Sequence, residues 1–263
     1  MNDEREFRAA FERIRALLAR PQIRAARAGL EDEILVETYI DGREFALEGV
    51  LTGGALQVFA LFDKPDPLDG PFFEETIYVT PSRLPADVQA RVAETVQAAA
   101  DALGLRHGPV HAECRVAPDG TIYVLEVAAR PIGGLCSRVL TFAGGASLEH
   151  VLIRHALGEP DTSREDVRID PSGAAVMMVP IPQRGMLRGV SGEEAASGVS
   201  GVTEVRITAK VGEILESLPE AGSYLGFIFA RAATARDAEA AVRQAHACLR
   251  FDITKEIAVA SRR

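Results

Sequence analysis

Cysteine is scarce in this chain: Cys114, Cys136 and Cys248 are the only three in 263 residues. The count is odd, the spacing is wide and no CxxC occurs, so neither a disulfide framework nor a zinc site is expected, and a reducing cytoplasm is the default compartment. No stretch is long and apolar enough for a membrane-spanning helix, so no membrane partner is expected. The opening residues, MNDEREF, are charged and contain no apolar segment, so no signal peptide is expected there. Positive charge is also in deficit, with 29 Lys and Arg against 38 Asp and Glu and a net charge of -9. Sequence-independent binding of nucleic acid needs a basic face, so nucleic acid is not an expected partner. A single nucleotide needs only a local cation or a metal and is not excluded. There is no GxxxxGK[ST] loop and no serine in a GxSxG context. His150 and His155 lie five apart, not at the four-residue spacing of a zincin pair, and are expected at a surface or boundary.

What is present reads as α+β. Phe7, Phe11, Ile14 and Leu18 recur at helical spacing, which predicts a helix over 3–20 closed by Pro21. ILVETYI (34–40) and FALEGVL (45–51) read as strands around Asp41-Gly42, and Gly53-Gly54 turns into a third, LQVFALF (56–62). The proline-rich DKPDPLDGP (63–71) is expected to be irregular, and FFEETIYVTPS that follows is strand-like. Leu84, Val88, Val92, Val96 and Leu103 predict a helix face on a core, ended by Gly104. Ser147 is placed to cap a helix running to Leu157. The polar stretch 159–172, with prolines at both ends, marks a boundary between domains 1–160 and 161–263. Beyond it come short strands and a last helix from Thr234 to Arg250, with Asp237 placed for a capping box. The expected architecture is an antiparallel sheet with helices, followed by a smaller β-rich domain.

The stretch HAECRVAPDGTIYVLEVAARPIGG (111–134) carries the chemistry. Two apolar runs flank Pro-Asp-Gly, and each holds one acid, Glu113 and Glu126. Facing residues of a hairpin have numbers of constant sum. A turn centred between Asp119 and Gly120 therefore pairs Glu113 with Glu126 on one face, whereas a three-residue loop would slip the pairing by one. Two adjacent carboxylates repel unless one takes a proton or a cation sits between them. Magnesium accepts one or two carboxylates completed by water and phosphate. Arg130, four residues past Glu126, can offer its planar fork to a phosphate or a substrate carboxylate. Spacing leaves two readings open, a metal seat or an acid–acid–arginine salt-bridge cluster on an exposed face. His111 shares the Glu113 face in an extended strand, Cys114 points the other way into a core, and Glu74-Glu75 read as a solvated pair.

On these residues the chain resembles the ATP-grasp superfamily, in which an acid on one strand is followed by a Glu-x-Asn-x-Arg-Pro-x-Gly-Gly pattern on the next. Here the pattern reads Glu126-Val127-Ala128-Ala129-Arg130-Pro131-Ile132-Gly133-Gly134. ILVETYIDGREFALEGVL is similar to the family's adenine-holding hinge strand, and residues 173–250 are similar to the small C-terminal domain of the amino-acid ligase and biotin carboxylase branches. The resemblance implies ATP and magnesium as cofactors, with Glu113 and Glu126 holding one or two metal ions. It implies a catalytic role for Arg130 on the transferred phosphate and substrate carboxylate. Main-chain groups of Glu37, Tyr39 and Ile40 would meet adenine, Glu44 the ribose hydroxyls, and Lys64 the phosphates or substrate. Glu74 or Glu75 falls in a region that lines the amine site of such ligases. The implied reaction turns a small-molecule carboxylate into an acyl phosphate that an amine then attacks.

Two departures from the family pattern stand out. Ala128 replaces a metal-binding asparagine, which puts a second magnesium in question. MNDEREFRAAFERI is similar to the helix that follows the family's phosphate-binding loop, so the N-terminal domain and the lysine-bearing lobe are expected to be missing. A non-catalytic nucleotide-binding subunit and one half of a split ligase therefore remain as alternatives. For an incomplete lobe, a complementary chain or a homo-oligomer is an expected partner.

Overall fold

The computed structural model describes residues 3–26, 33–67, 74–159, 172–217 and 223–254. The chain forms two compact units, residues 1–40 with 69–73, and residues 41–68 with 74–263.

In the first unit, Asp3 caps α1 (Glu4–Leu18) by accepting the Glu6 N–H at 2.7 Å. Pro21 does not simply close this helix; it opens α2 (Pro21–Ala26). At the first helical position its absent N–H has no partner to lose and its fixed φ suits the helix. Residues 33–41 carry no regular structure, so the expected strand over 34–40 does not form.

The second unit contains β1 (Arg43–Thr52), β2 (Ala55–Asp63), β3 (Ile77–Thr80), α3 (Ala86–Ala102), β4 (Gly108–Val116), β5 (Ile122–Ala128) and α4 (Leu148–Ala156). It continues with β6 (Gly173–Val179), β7 (Gly185–Ser191), α5 (Glu193–Ser197), β8 (Val202–Ile207), β9 (Ile214–Leu215), β10 (Gly226–Ala232), α6 (Ala235–Cys248) and β11 (Arg250–Thr254). Eight strands form one antiparallel sheet in the order β5-β4-β1-β2-β3-β6-β10-β8, and β11-β7-β9 form a second. β1 has both hydrogen-bonding edges occupied, by β2 and by β4, so it offers no edge to a strand arriving through Asp41-Gly42. Gly42 is needed for a different reason: at φ +130° its missing Cβ leaves room for the Val116 carbonyl, which an added Cβ would meet at 2.4 Å.

The expected boundary at 160/161 lies outside the described residues. The strands on either side of it meet, because β3 pairs with β6. One sheet face packs on α3 through Phe45, Leu47, Leu61, Val92, Val96 and Ala112. Leu103, expected in that core, is 61% exposed because the helix ends one residue before it, and Ala100 fills the place. Further along, α6 covers β6 and β10 with an alanine-rich face, capped by Thr234 accepting the Asp237 N–H. On the opposite face of the sheet, Ala46, Phe62, Tyr78 and Val176 pack under Ile132, Leu140, Phe142 and Leu148. Ser147 caps α4 by accepting the His150 N–H. Among the described residues no helix is long and apolar enough to cross a membrane.

Candidate functional site

The site lies on the sheet face opposite α3 and is built by strand alternation. On β1 the residues Glu44, Ala46 and Glu48 share this face, and their cross-strand partners on β4 are Arg115, Glu113 and His111. Glu113 in turn faces Glu126 on β5. This is the expected pairing, but it arises by another route. The turn is a three-residue loop, Pro118-Asp119-Gly120, closed by the Ala117 N–H donating to the Thr121 carbonyl at 2.9 Å. That loop sets the pairs Val116–Ile122 and Cys114–Val124, one position off the expected register. Leu125 is then an extra residue in β5, a bulge that brings Glu126 opposite Glu113. The bulge is also visible in the packing, since Ile122, Val124 and Val127 all lie against the α3 core.

Lys64, immediately after β2, is the centre of the cluster. Its ammonium contacts Glu44 Oε1 at 2.5 Å, Glu75 Oε1 at 2.5 Å and Glu113 Oε1 at 2.9 Å. Burial would lower its pKa, but the charges of Glu75, Glu113 and Glu44 prevail and hold it above the ordinary lysine range. The three carboxylates, with oxygens all within 4.8 Å of one another, are thus a cup already filled by a cation. Glu44 has both oxygens engaged, Oε1 by Lys64 and Oε2 by Arg115 Nε at 2.9 Å. Tyr78 donates its hydroxyl to Glu75 Oε2 at 2.9 Å. Burial pushes the Glu75 carboxyl up despite Lys64, and the neighbouring charge of Glu113 pushes the same way.

Glu113 Oε1 meets Lys64, the Tyr78 hydroxyl at 3.4 Å and His111 Nε2 at 3.8 Å. Burial opposes ionisation of Glu113, but His111 and Lys64 outweigh it and hold this carboxyl well below the usual range. His111 is lowered by burial and raised by Glu113 and Glu48, with the result that it is pushed up to about 9. Its Nδ1 lies 3.1 Å from Glu48 Oε2. Glu126 is 57% exposed, with Arg130 Nη2 at 3.8 Å from its Oε1. The Glu113 and Glu126 carboxylates, paired across the two strands, are a donor set that fits magnesium, which takes few protein ligands and completes its shell with water and phosphate.

Of the expected site residues, Lys64 brings Glu44 and Glu113 together, Glu126 stands opposite Glu113 across the strand pair, and Arg130 lies beside Glu126. Glu37, Tyr39 and Ile40 belong to the other unit, in the irregular stretch 33–41, where Tyr39 is 54% exposed. Glu48, Tyr78 and Arg115 are not singled out by the sequence reading. The period-two series Glu44-Ala46-Glu48 and His111-Glu113-Arg115 is the signal that locates Glu48 and Arg115.

A family model described as an ATP-grasp domain matches residues 1–139, and one described as L-amino acid ligase C-terminal domain 2 matches residues 177–254. Over 132 residues, half of this chain, the sequence is 32% identical to carnosine synthase 1 of Gallus gallus, covering 14% of that protein. An L-amino acid ligase from Bacillus licheniformis superposes with a TM-score of 0.80 at 27% identity, over 97% of this chain and 62% of that one. Biotin carboxylase from Campylobacter jejuni shares the fold, with a TM-score of 0.60 at 18% identity over 83% of this chain and 48% of that one. The chain therefore spans less than two thirds of the length of the relatives it matches. With its N-terminal half matched by the family model and its fold shared with these enzymes, the chain belongs to the ATP-grasp family.

Proposed function

We propose that this chain carries the metal-binding half of an ATP-dependent carboxylate–amine ligase that works through an acyl phosphate. The observation that carries this reading is the pairing of Glu113 with Glu126 beside Arg130, reached through a bulge. A bulge that restores the pairing of two acids, at the electrostatic cost of placing them together, fits a shared cation better than a solvated salt bridge.

Glu113 and Glu126 would hold magnesium, which when bound would supply positive charge to offset that of the ATP phosphates. The protein's own part is positioning and charge. Lys64 and His111 both act on Glu113 Oε1 and keep the carboxylate ionised. The Arg130 guanidinium is 55% exposed, lies 3.8 Å from Glu126 and donates through Nη1 to the Pro131 carbonyl at 3.0 Å, so turning onto the transferred phosphoryl group and the substrate carboxylate exchanges that one neutral hydrogen bond for charged ones. An amine contact by Glu75 requires its pairs with Lys64 and Tyr78 to open, and the assignment of the amine to Glu74 or Glu75 rests on the family resemblance. A ribose contact by Glu44 requires its pairs with Lys64 and Arg115 to open. The adenine contacts of Glu37, Tyr39 and Ile40 rest on the family resemblance.

The test is hydroxylamine trapping of the acyl phosphate during incubation with MgATP and a panel of small carboxylates and amino acids. Hydroxamate and ADP formation, both lost in Glu113→Gln, are expected. Failure of the chain to bind MgATP at all would contradict the proposal.

A further inference from the structure

The same strand face carries a fully buried acid for which the proposed chemistry has no use. Glu48 is 0% exposed. Its neighbours on this face, Ala46 along the strand and Ala60 across it, are small and apolar, so packing alone does not call for a carboxylate there. Burying an acid is unfavourable unless its oxygens find partners. Glu48 Oε2 accepts the Ile132 N–H at 3.0 Å and lies 3.1 Å from His111 Nδ1, while Oε1 has no partner among the described residues. The two contacts of Oε2 lead in different directions. Ile132 lies two residues past Arg130, in the irregular segment after β5, and its side chain is anchored in the core. His111 turns its other nitrogen towards Glu113 Oε1 at 3.8 Å, an ion-pair distance longer than a hydrogen bond. A single oxygen of Glu48 therefore ties the Arg130 segment to the Glu113 carboxylate.

We infer that Glu48 and His111 are positioning residues that hold Glu113 and the Arg130 segment in one fixed relation, as needed for a metal and a phosphoryl group to be gripped together. This rests on the reading of Glu113 as a metal ligand. Partners of this kind typically change metal affinity 10- to 100-fold when removed.

The test is Mn2+ titration followed by electron paramagnetic resonance, with and without ADP, on the full chain and on E48Q, H111N, H111Q and E113Q, each with its melting temperature. In H111Q the amide reaches the place of the imidazole Nε2 and keeps the contact to Glu113, whereas in H111N it keeps only the contact to Glu48. The expected result is that E113Q loses Mn2+, E48Q and H111N weaken it by about tenfold or more, and H111Q, which keeps the contact to Glu113 but gives up the tie to Glu48, loses less than H111N without returning to wild type. If E48Q and H111N bind as the wild type does while E113Q does not, the positioning role is wrong and the metal site stands. If E113Q binds unchanged, the metal site is wrong and this inference falls with it. Should E48Q not fold, the H111N and H111Q pair decides the matter, because equal losses in both would mark His111 as a merely structural residue.

Discussion

Replacing Lys64 with methionine removes a buried cation and leaves three acids facing one another. Methionine fills most of the volume of the lysine stem, so the perturbation is electrostatic rather than a cavity. Lys64 is 4% exposed at its side chain and serves Glu44, Glu75 and Glu113 together. Removing one partner of a buried ion pair costs about 3–5 kcal/mol. Two features place this site at the lower end. Glu75 and Glu113 keep side-chain exposures of 33% and 19%, so water reaches them, and Glu75, already pushed up by burial, can take a proton. A loss of about 3 kcal/mol in a domain of this size lowers the melting temperature by roughly 6–12 °C. The assay is scanning calorimetry of wild type and Lys64→Met in EDTA and then in Mn2+. The vacated cup has three carboxylate oxygens within 4.8 Å, so added Mn2+ should stabilise the variant more than the wild type. A variant melting within about 2 °C of wild type in EDTA would refute the view that Lys64 neutralises this cluster.

Two further predictions concern other parts of the second unit. His155 is buried, its ring stacked on that of His107 at 4.2 Å and its Nε2 placed 2.8 Å from Thr52 Oγ1. Burial and then the charge of His107 hold its pKa below the ordinary value, so the unfolded chain takes the proton first as pH falls. Its contribution to stability is complete above about 6.5 and declines on acidification until the folded value is passed. The melting temperature should therefore drop less between pH 7 and 5 in His155→Gln than in wild type, and equal drops would contradict this. In β5, deleting Leu125 removes the bulge and still leaves Glu126 opposite Glu113. Mn2+ affinity should then stay within about threefold of wild type, whereas an alanine inserted after Leu125 moves Glu126 out of register with Glu113 and should cost about tenfold or more. Equal affinities in the two variants would show that the register is irrelevant to metal binding.

Much of this site is legible in the amino-acid sequence, but unevenly. The pairing of Glu113 with Glu126 follows from their positions about the Asp-Gly turn, yet the turn is a three-residue loop and the pairing depends on Leu125. A bulge obeys no simple alternation, so the outcome can be read from the sequence while its cause cannot. The strand face of Glu44 and Glu48 is visible in the period of two, because alternation is a local property. The Lys64 cluster is not visible. Its acids lie 20, 11 and 49 residues away on two strands and a connecting segment, and no spacing rule joins them. The expected strand over 34–40 fails for a related reason. An apolar run reports affinity for a core, whereas strand formation also requires a free edge, and β1 has none to give.

The central claim is that Glu113 and Glu126 together seat the metal that carries ATP. Isothermal titration of ADP into the chain, with Mg2+ and with EDTA, tests it most directly when repeated on Glu126→Gln. Binding should require Mg2+ and should weaken by about tenfold or more in the variant. An affinity unchanged by Glu126→Gln would contradict the metal seat.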